Sequence, residues 1–318
     1  SRVGPFERWQ VTAIPGSPTV RESSDLAFLD SDVLARPNLH VITGATVSKV
    51  LFDNDKRAYG VVFFTHGERR TAFAKKRVVL SAGVNTPLIL QRSGVGNATY
   101  LDSLDIPVVY DNPNVGIHVY NHHGMSAILL KNNSDVPSGH PSDIYEGGAF
   151  LPNPTPNATQ EASPRHVQII TINAGPVMVL AIINLQQYQH GYARIHSDDP
   201  FYGPSSSDRV FVPAEGDVDH TMFMDTIKEY VCKLRDEYQG AGVGPIIDAS
   251  YEMLNPPYSM CSDDVALAAW VTANVNVQGH HWTSSAKMGK VGDGISVTNS
   301  RGSVWGVTGL TLCDDSIL

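Results

Sequence analysis

Toward its C-terminus the chain runs Gly279-His-His-Trp-Thr-Ser-Ser-Ala-Lys-Met-Gly289, two imidazoles beside a large aromatic, framed by glycine and small hydroxyl residues. A segment of that composition can approach a flat ligand closely. Two readings of it stand. One is a buried loop whose histidines satisfy backbone partners. The other is a general base, because an imidazole with a reference pKa of about 6.5 takes a hydroxyl proton at neutral pH, with Trp282 keeping water away. The remaining histidines of interest, His118, His122, His123 and His140, lack the spacing that projects ligands to one point, as in HExxH, so no metal centre is expected. No GxSxG elbow occurs, which makes a serine hydrolase the weaker enzyme reading. Gly94-Val-Gly96-Asn-Ala-Thr99 holds two of the three glycines of a dinucleotide fingerprint but follows a helical pattern rather than a strand. Gly240-Ala-Gly242-Val-Gly244 also follows a helical pattern, and both read as helix-ending turns.

The elements that must position these residues follow from periodicity and breakers. Leu39–Phe52 is rich in β-branched residues, Asp53-Asn-Asp is a turn, and Tyr59–Phe64 resumes the strand pattern, which predicts a β-meander. Arg77-Val-Val-Leu-Ser-Ala-Gly83 followed by Thr86-Pro87 and Leu88–Arg92 predicts strand, turn and helix. Thr86 would be its cap, Pro87 its first residue and Gly94 its stop. From Asn112 to Pro164 the crowd of Pro, Gly, Asn and Ser predicts long loops. Val167–Ile172 and Tyr192–His196 are expected as strands of an antiparallel sheet. Asp219–Gln239 places Phe223, Ile227, Tyr230, Val231, Leu234 and Tyr238 on one helical face, capped by Asp219 and ended by Gly240. A second helix is expected from Ser262 to about Ala273, capped by Ser262 or Asp263.

Composition sets the outer bounds. The chain has 318 residues, of which 42% are hydrophobic and 17% charged, enough for a sizeable core and about two domains. A net charge of −9 repels phosphate backbones, so nucleic acid is not an expected partner. The longest apolar stretch, Pro176–Leu185, falls well short of the roughly 20 residues that cross a bilayer, and no membrane span is expected. Cys232, Cys261 and Cys313 allow at most one bridge and leave one thiol over. Sequons at Asn97, Asn132 and Asn157 favour a secreted, extracellular glycoprotein. The opening SRVGPFERWQ has neither an initiator Met nor a targeting segment, so a processed chain or a piece of a longer one is expected.

Several segments together resemble the glucose–methanol–choline (GMC) family of FAD-dependent alcohol and sugar oxidoreductases, in particular its cellobiose dehydrogenase-like branch. Arg21-Glu-Ser-Ser24, Arg36-Pro-Asn-Leu39 and Thr43-Gly-Ala-Thr-Val47 are similar to the stretch leading to the flavin's adenine contact. Val78-Val-Leu-Ser-Ala-Gly83 continuing to Gln91-Arg-Ser-Gly-Val-Gly96 resembles the family's second signature. Asn114-Val-Gly-Ile-His-Val-Tyr-Asn-His122 is similar to its VGxNLxDH turn, with Asn121 in place of Asp. His281-Trp282 stands where the first active-site His lies, and Leu312-Cys-Asp-Asp-Ser-Ile317 resembles the VDASI segment.

The resemblance implies an α/β (α+β) fold: a partial FAD-binding domain over residues 1–120, an antiparallel-sheet substrate domain over 121–265, and a return segment over 266–318. It implies FAD as cofactor and a small alcohol or sugar as substrate, with the electron acceptor open. His281 would take the substrate hydroxyl proton while hydride passes to flavin N5. Trp282 and His280 would shape the substrate pocket. Val47, Ser81, Ala82, Gly83 and Asp314 would contact the cofactor. The family's GxGxxG loop and its second active-site His or Asn have no counterpart in these residues. This chain alone is therefore expected to bind FAD weakly or not at all. Two other readings remain: a non-catalytic remnant or binding module, and a hydroxynitrile lyase of the same family.

Overall fold

The computed structural model describes residues 13–14, 17–131, 145–152, 166–174, 177–203, 205–206, 215–232, 251–277 and 281–318. In chain order the strands and helices used below are β1 (Ala45–Phe52), β2 (Ala58–Thr65), β3 (Glu68–Phe73), β4 (Val78–Leu80), α1 (Thr86–Arg92), β5 (His123–Lys131), β6 (Tyr145–Leu151), β7 (Val167–Ala174), β8 (Val177–Asn184), α2 (Val218–Ile227), β9 (Tyr251–Asn255), α3 (Asp264–Asn274), β10 (Asn276–Val277) and β11 (Leu310–Leu312). The chain forms two compact units. One comprises Ser1–Val41, His122–Tyr188 and Val212–Gln278, the other Ile42–Asn121, Gln189–Phe211 and Gly279–Leu318. The break expected after residue 120 falls after Asn121. The return expected at 266 comes at 279, and Gln189–Phe211 joins the second unit instead of the inserted sheet.

In the second unit β1 and β2 are the two strands of the expected meander, with Val50 opposite Val61, and β3, which the sequence pattern does not show, adds a third antiparallel strand. Val50, Ala58 and Val62 are buried, whereas β3 is exposed along its whole length, so its residues carry no alternating pattern. β4 and β11 pair in parallel, Leu310 beside Val78 and Leu312 beside Leu80, and both ends of each strand enter the core with Ile89, Leu90 and Val95. Helix α1 follows β4 with Pro87 in its first turn, as expected of a residue whose missing N–H costs nothing there. Thr86 is not the cap: Asn85 occupies that place without a side-chain bond, and the Thr86 hydroxyl is turned to Asp314. The helix stops at Gly94, whose φ of +83° and close approach to the Pro107 carbonyl exclude a side chain.

Gln91 explains why Gln189–Phe211 belongs here. Its buried amide donates to the Val115 and Ala193 carbonyls at 3.2 and 3.0 Å and accepts from Ile195 N–H at 3.0 Å. The expected strand at Tyr192–His196 is thus reduced to Ala193–Arg194, paired with Ser205–Ser206 and not with β7.

In the first unit β6, β7, β8, β5 and β9 lie side by side in that order, all antiparallel, with β10 also on β5. Val167 and Ile169 of β7 and Leu180 and Ile182 of β8 face a core completed by Phe223 and Ile227 of α2 and Leu267 and Val271 of α3. The longest apolar stretch is therefore largely strand β8. Among the described residues no helix is long and apolar enough to cross a membrane. Helix α2 starts after Asp217 and passes into a π turn over Lys228–Cys232. Asp219 does not cap it but is fully buried, accepting from Asn184 Nδ2 at 3.1 Å and from Tyr188 N–H. Leu234, Tyr238 and Gly240 lie outside the described residues, as do Asn132, His140 and Asn157. Asp263 caps α3, accepting from the Val265 and Ala266 N–H groups. Cys232 and Cys261 form a disulfide, and Cys313 is free and exposed.

Candidate cofactor cleft and base

Parallel strands end where their unpaired backbone groups meet the following turns, the place where open α/β sheets receive ligands. In the second unit that place is organised by one carboxylate. Asp314, just past β11, accepts through Oδ2 from Gly83 N–H at 2.9 Å and from Thr86 Oγ1 at 2.6 Å. Its Oδ1 accepts from Ser316 N–H at 2.9 Å. Thr86 Oγ1 in turn accepts from Ala82 N–H at 3.1 Å. Gly83 stands at φ +56° with open space on its Cβ side, so its conformation and not crowding asks for glycine.

Beside this knot lies a cleft of about 640 Å³. Its walls are Ala45, Thr46 and Val47 of β1, Val79 and Leu80 of β4, and Ser81 and Ala82 after it. Its floor is Asn85, Leu88, Ile89 and Arg92, the i, i+3, i+4, i+7 spacing of one helical face. Arg92 is only 6% exposed and its Nε has no hydrogen-bond partner. Burial pushes its guanidinium down from the usual arginine range, offset in part by the charges of Asp199 and Asp198.

His281 and Trp282 belong to a separate construction in the same unit. His281 N–H donates to Asn121 Oδ1 at 3.1 Å, and Tyr120 and Thr283 exchange backbone bonds of 3.2 and 3.0 Å. Gly116 N–H reaches the Ser285 carbonyl at 2.8 Å, so 116–121 and 281–285 run as a paired strap. The next residues join the chain end: Ser284 Oγ donates to the Leu318 carbonyl and Ala286 N–H to that of Ser316. Trp282 is half-buried against a small cluster of Leu88, Leu101, Val119 and Ile195, while His281 is exposed.

The expected site residues therefore divide into groups. Val47, Ser81 and Ala82 line one cleft, and Gly83 and Asp314 form the hydrogen-bonded knot continuous with it. His281 and Trp282 are not part of its lining, and His280 lies outside the described residues. Arg92 was not anticipated. Its signal was a single cation closing the otherwise uncharged run Thr86–Gln91, on the helical face that Leu88 and Ile89 share.

Two regions, residues 12–123 and 224–318, each match a family model described as GMC oxidoreductase. The oxygen-dependent choline dehydrogenase of Burkholderia cenocepacia (strain HI2424) is 29% identical over 94% of this chain and 55% of its own length. That of Cronobacter sakazakii (strain ATCC BAA-894) is 30% identical over 94% of this chain and 56% of its own. These relatives are choline dehydrogenases and not of the cellobiose dehydrogenase branch that the motifs suggested. The chain spans about half the length of the curated relatives it matches, 55–56%. A fungal aryl-alcohol oxidase structure superposes with a TM-score of 0.76 at 19% identity, over 95% of this chain and 60% of that one. Pyridoxine 4-oxidase from Mesorbium loti gives 0.73 at 19% identity, over 93% and 57%. The fold is thus the mixed α/β arrangement shared with these proteins.

Proposed function

The chain belongs to the GMC oxidoreductase family, and from that premise we propose that it is part of an FAD-dependent enzyme that oxidises the CH–OH group of a small alcohol. The observation that carries this reading is the convergence of Val47, Ser81 and Ala82 on one cleft beside the Asp314–Gly83 knot. The names of the relatives, choline dehydrogenase among them, favour an alcohol substrate.

The cleft fits a dinucleotide. It is long on one side along a helix face, bordered by strand-end backbone, and ends at a buried guanidinium whose Nε lacks an acceptor. When bound, FAD supplies the two-electron acceptor for the hydrogen that leaves carbon. The chain's own part is proton handling and orientation. The imidazole of His281 would take the proton of the substrate hydroxyl, while the buried Asn121 amide fixes the backbone from which that ring projects. Trp282 closes the neighbouring surface by packing on Leu88 and Val119. Gly83, Thr86 and Asp314 hold the strand ends in place against the cofactor.

The test is spectroscopic. The full-length protein of which this chain is part should carry flavin absorbance that bleaches anaerobically on adding one of a panel of alcohols, choline and aryl alcohols included. A protein that takes up no FAD, or whose flavin no alcohol reduces, overturns the reading.

A further inference from the structure

Basic side chains at a surface are ordinarily solvated and spread apart, and several that converge on one concavity repel one another until an anion joins them. The second unit has such a concavity, of about 420 Å³, at the N-terminal ends of β4 and β11, where Arg77 leads into one strand and Gly309 into the other. It shares no lining residue with the cofactor cleft, which takes in Ser81 and Ala82 past the other end of β4. Three stretches of chain bring Arg57, Lys76 and Arg77 together there with the hydroxyls of Ser303, Thr308 and Thr311. Among the described residues no acidic side chain lines it, although the chain as a whole carries a net charge of −9. Nor does any of the three cations form an ion pair among the described residues. Asp53, four positions before Arg57, turns its Oδ1 to the backbone N–H groups of Asp55 and Arg57 at 3.0 and 2.9 Å. The shape of the concavity is fixed by bonds of its own. Arg57 Nη2 donates to the Lys75 carbonyl at 3.2 Å, Ala58 N–H to the Thr308 carbonyl at 2.8 Å and Thr308 N–H to that of Lys56 at 3.1 Å. Gly309 stands at φ +71°, where a Cβ would meet the Ala58 carbonyl at 3.0 Å, so the turn and β2 approach closely. A guanidinium already held in place loses little freedom when it takes up a ligand.

We propose that Arg57, Lys76 and Arg77, with the Ser303, Thr308 and Thr311 hydroxyls, bind a phosphate group, free or carried on a small polar molecule, at the N-terminal ends of β4 and β11. Guanidinium and ammonium donors make charge-assisted bonds to phosphate oxygens, and hydroxyls meet the lone pairs that remain or the polar body of an ester. The volume lies within the range of about 300–1,000 Å³ typical of small-molecule pockets. Open α/β sheets receive their cofactors beyond the carboxyl ends of the strands, so a pocket at the amino ends is a second site and not part of the dinucleotide's.

Calorimetric titration of the full-length protein of which this chain is part with inorganic phosphate, glycerol 3-phosphate and glycerol tests it. The parent should bind both phosphates and not glycerol. A double variant, Lys76→Gln with Arg77→Gln, removes two cations at exposed positions, where substitution scarcely alters folding, and should weaken both phosphates by about tenfold or more. Lys75→Gln removes a neighbouring charge that does not line the pocket and keeps the carbonyl that Arg57 uses, so affinity should change by less than about twofold. Tighter binding of glycerol 3-phosphate than of phosphate identifies an ester as the ligand, and equal affinity identifies phosphate itself. A parent that binds neither phosphate overturns the site. So does a loss in Lys75→Gln as large as in the double variant, which marks diffuse surface charge only.

Discussion

Asp314 accepts the backbone N–H of Gly83 at 2.9 Å across 231 positions of sequence. The bond closes the gap between the ends of two parallel strands, β4 and β11, which no short loop could join. Because the same oxygen takes the Thr86 hydroxyl and the other takes Ser316 N–H, the carboxylate satisfies three donors at once. The turn after β4 is thereby fixed in the shape that lines the cleft.

Removing that carboxylate leaves Gly83 N–H, Thr86 Oγ1 and Ser316 N–H without their acceptor. Asp314→Ala should lower unfolding stability by about 1–3 kcal/mol, the cost of part-buried donors left unsatisfied. Thr86→Val, which removes one bond to Asp314 and one from Ala82, should cost less. Urea midpoints compare them. An Asp314→Ala protein as stable as the parent would show that the knot is decorative.

In the proposed reaction His281 moves a proton and Asn121 only holds its backbone. His281→Ala should lower the anaerobic rate of flavin reduction by about 10²–10⁴-fold with KM little changed. Asn121→Leu keeps the imidazole but frees the backbone N–H it anchors, and about a tenfold loss is expected from misplacement. Stopped-flow reduction separates the two. A His281→Ala enzyme within twofold of the parent removes the base from the mechanism.

The sequence was most readable where one physical rule acted alone. The meander, the strand before Gly83 and the start of α3 at Asp263 follow from alternation and capping, and the structure places them there. It was least readable where a side chain serves a distant partner. Thr86 has the type of a cap but bonds Asp314, and Asp219 has the type of a cap but is buried against Asn184. Local spacing cannot reveal either, because the partner lies on another element. β3 escaped for a different reason: every residue of Glu68–Phe73 is exposed, so the strand bears no hydrophobic period, and apart from the stacking of Phe73 on Tyr59 it is held to β2 by its backbone ladder. Of the site, the resemblance singles out Gly83 and Asp314 by their place in motifs, whereas the Gly83–Asp314 bond and the burial of Arg92 are set by packing that no motif records.

The Cys232–Cys261 disulfide spans 29 positions and ties the π turn after α2 to the segment that leads into α3, both under the same sheet. Closing a loop of that length lowers the entropy of the unfolded chain by an amount equivalent to about 3–4 kcal/mol. Replacing both cysteines with serine should lower the midpoint of the first unit's unfolding, and a reductant should reproduce the shift in the parent only. Identical midpoints with and without reductant would mean that the bridge contributes nothing to stability.

His166 gives the first unit a dependence on pH. It is 1% exposed, its Nδ1 has no partner, and burial holds its pKa below the ordinary imidazole value of 6.5. The unfolded chain therefore takes up a proton at a higher pH than the folded one does. Below about pH 6.5 the unfolded state binds more protons, and stability falls as pH drops toward the folded-state value; above it the contribution is complete. His118, half-buried and lowered by burial, by His190 and by Lys287, acts in the same direction from the other unit, so the parent curve alone does not isolate His166. Its backbone bonds, His166 N–H to the Leu151 carbonyl and Leu185 N–H to its own carbonyl, survive replacement of the ring. His166→Gln should accordingly flatten the loss of stability between pH 7 and 5, by at most about 1.4 kcal/mol per pH unit. Denaturant titrations at half-unit steps measure it, and parallel curves for parent and variant would show that His166 is protonated equally in both states.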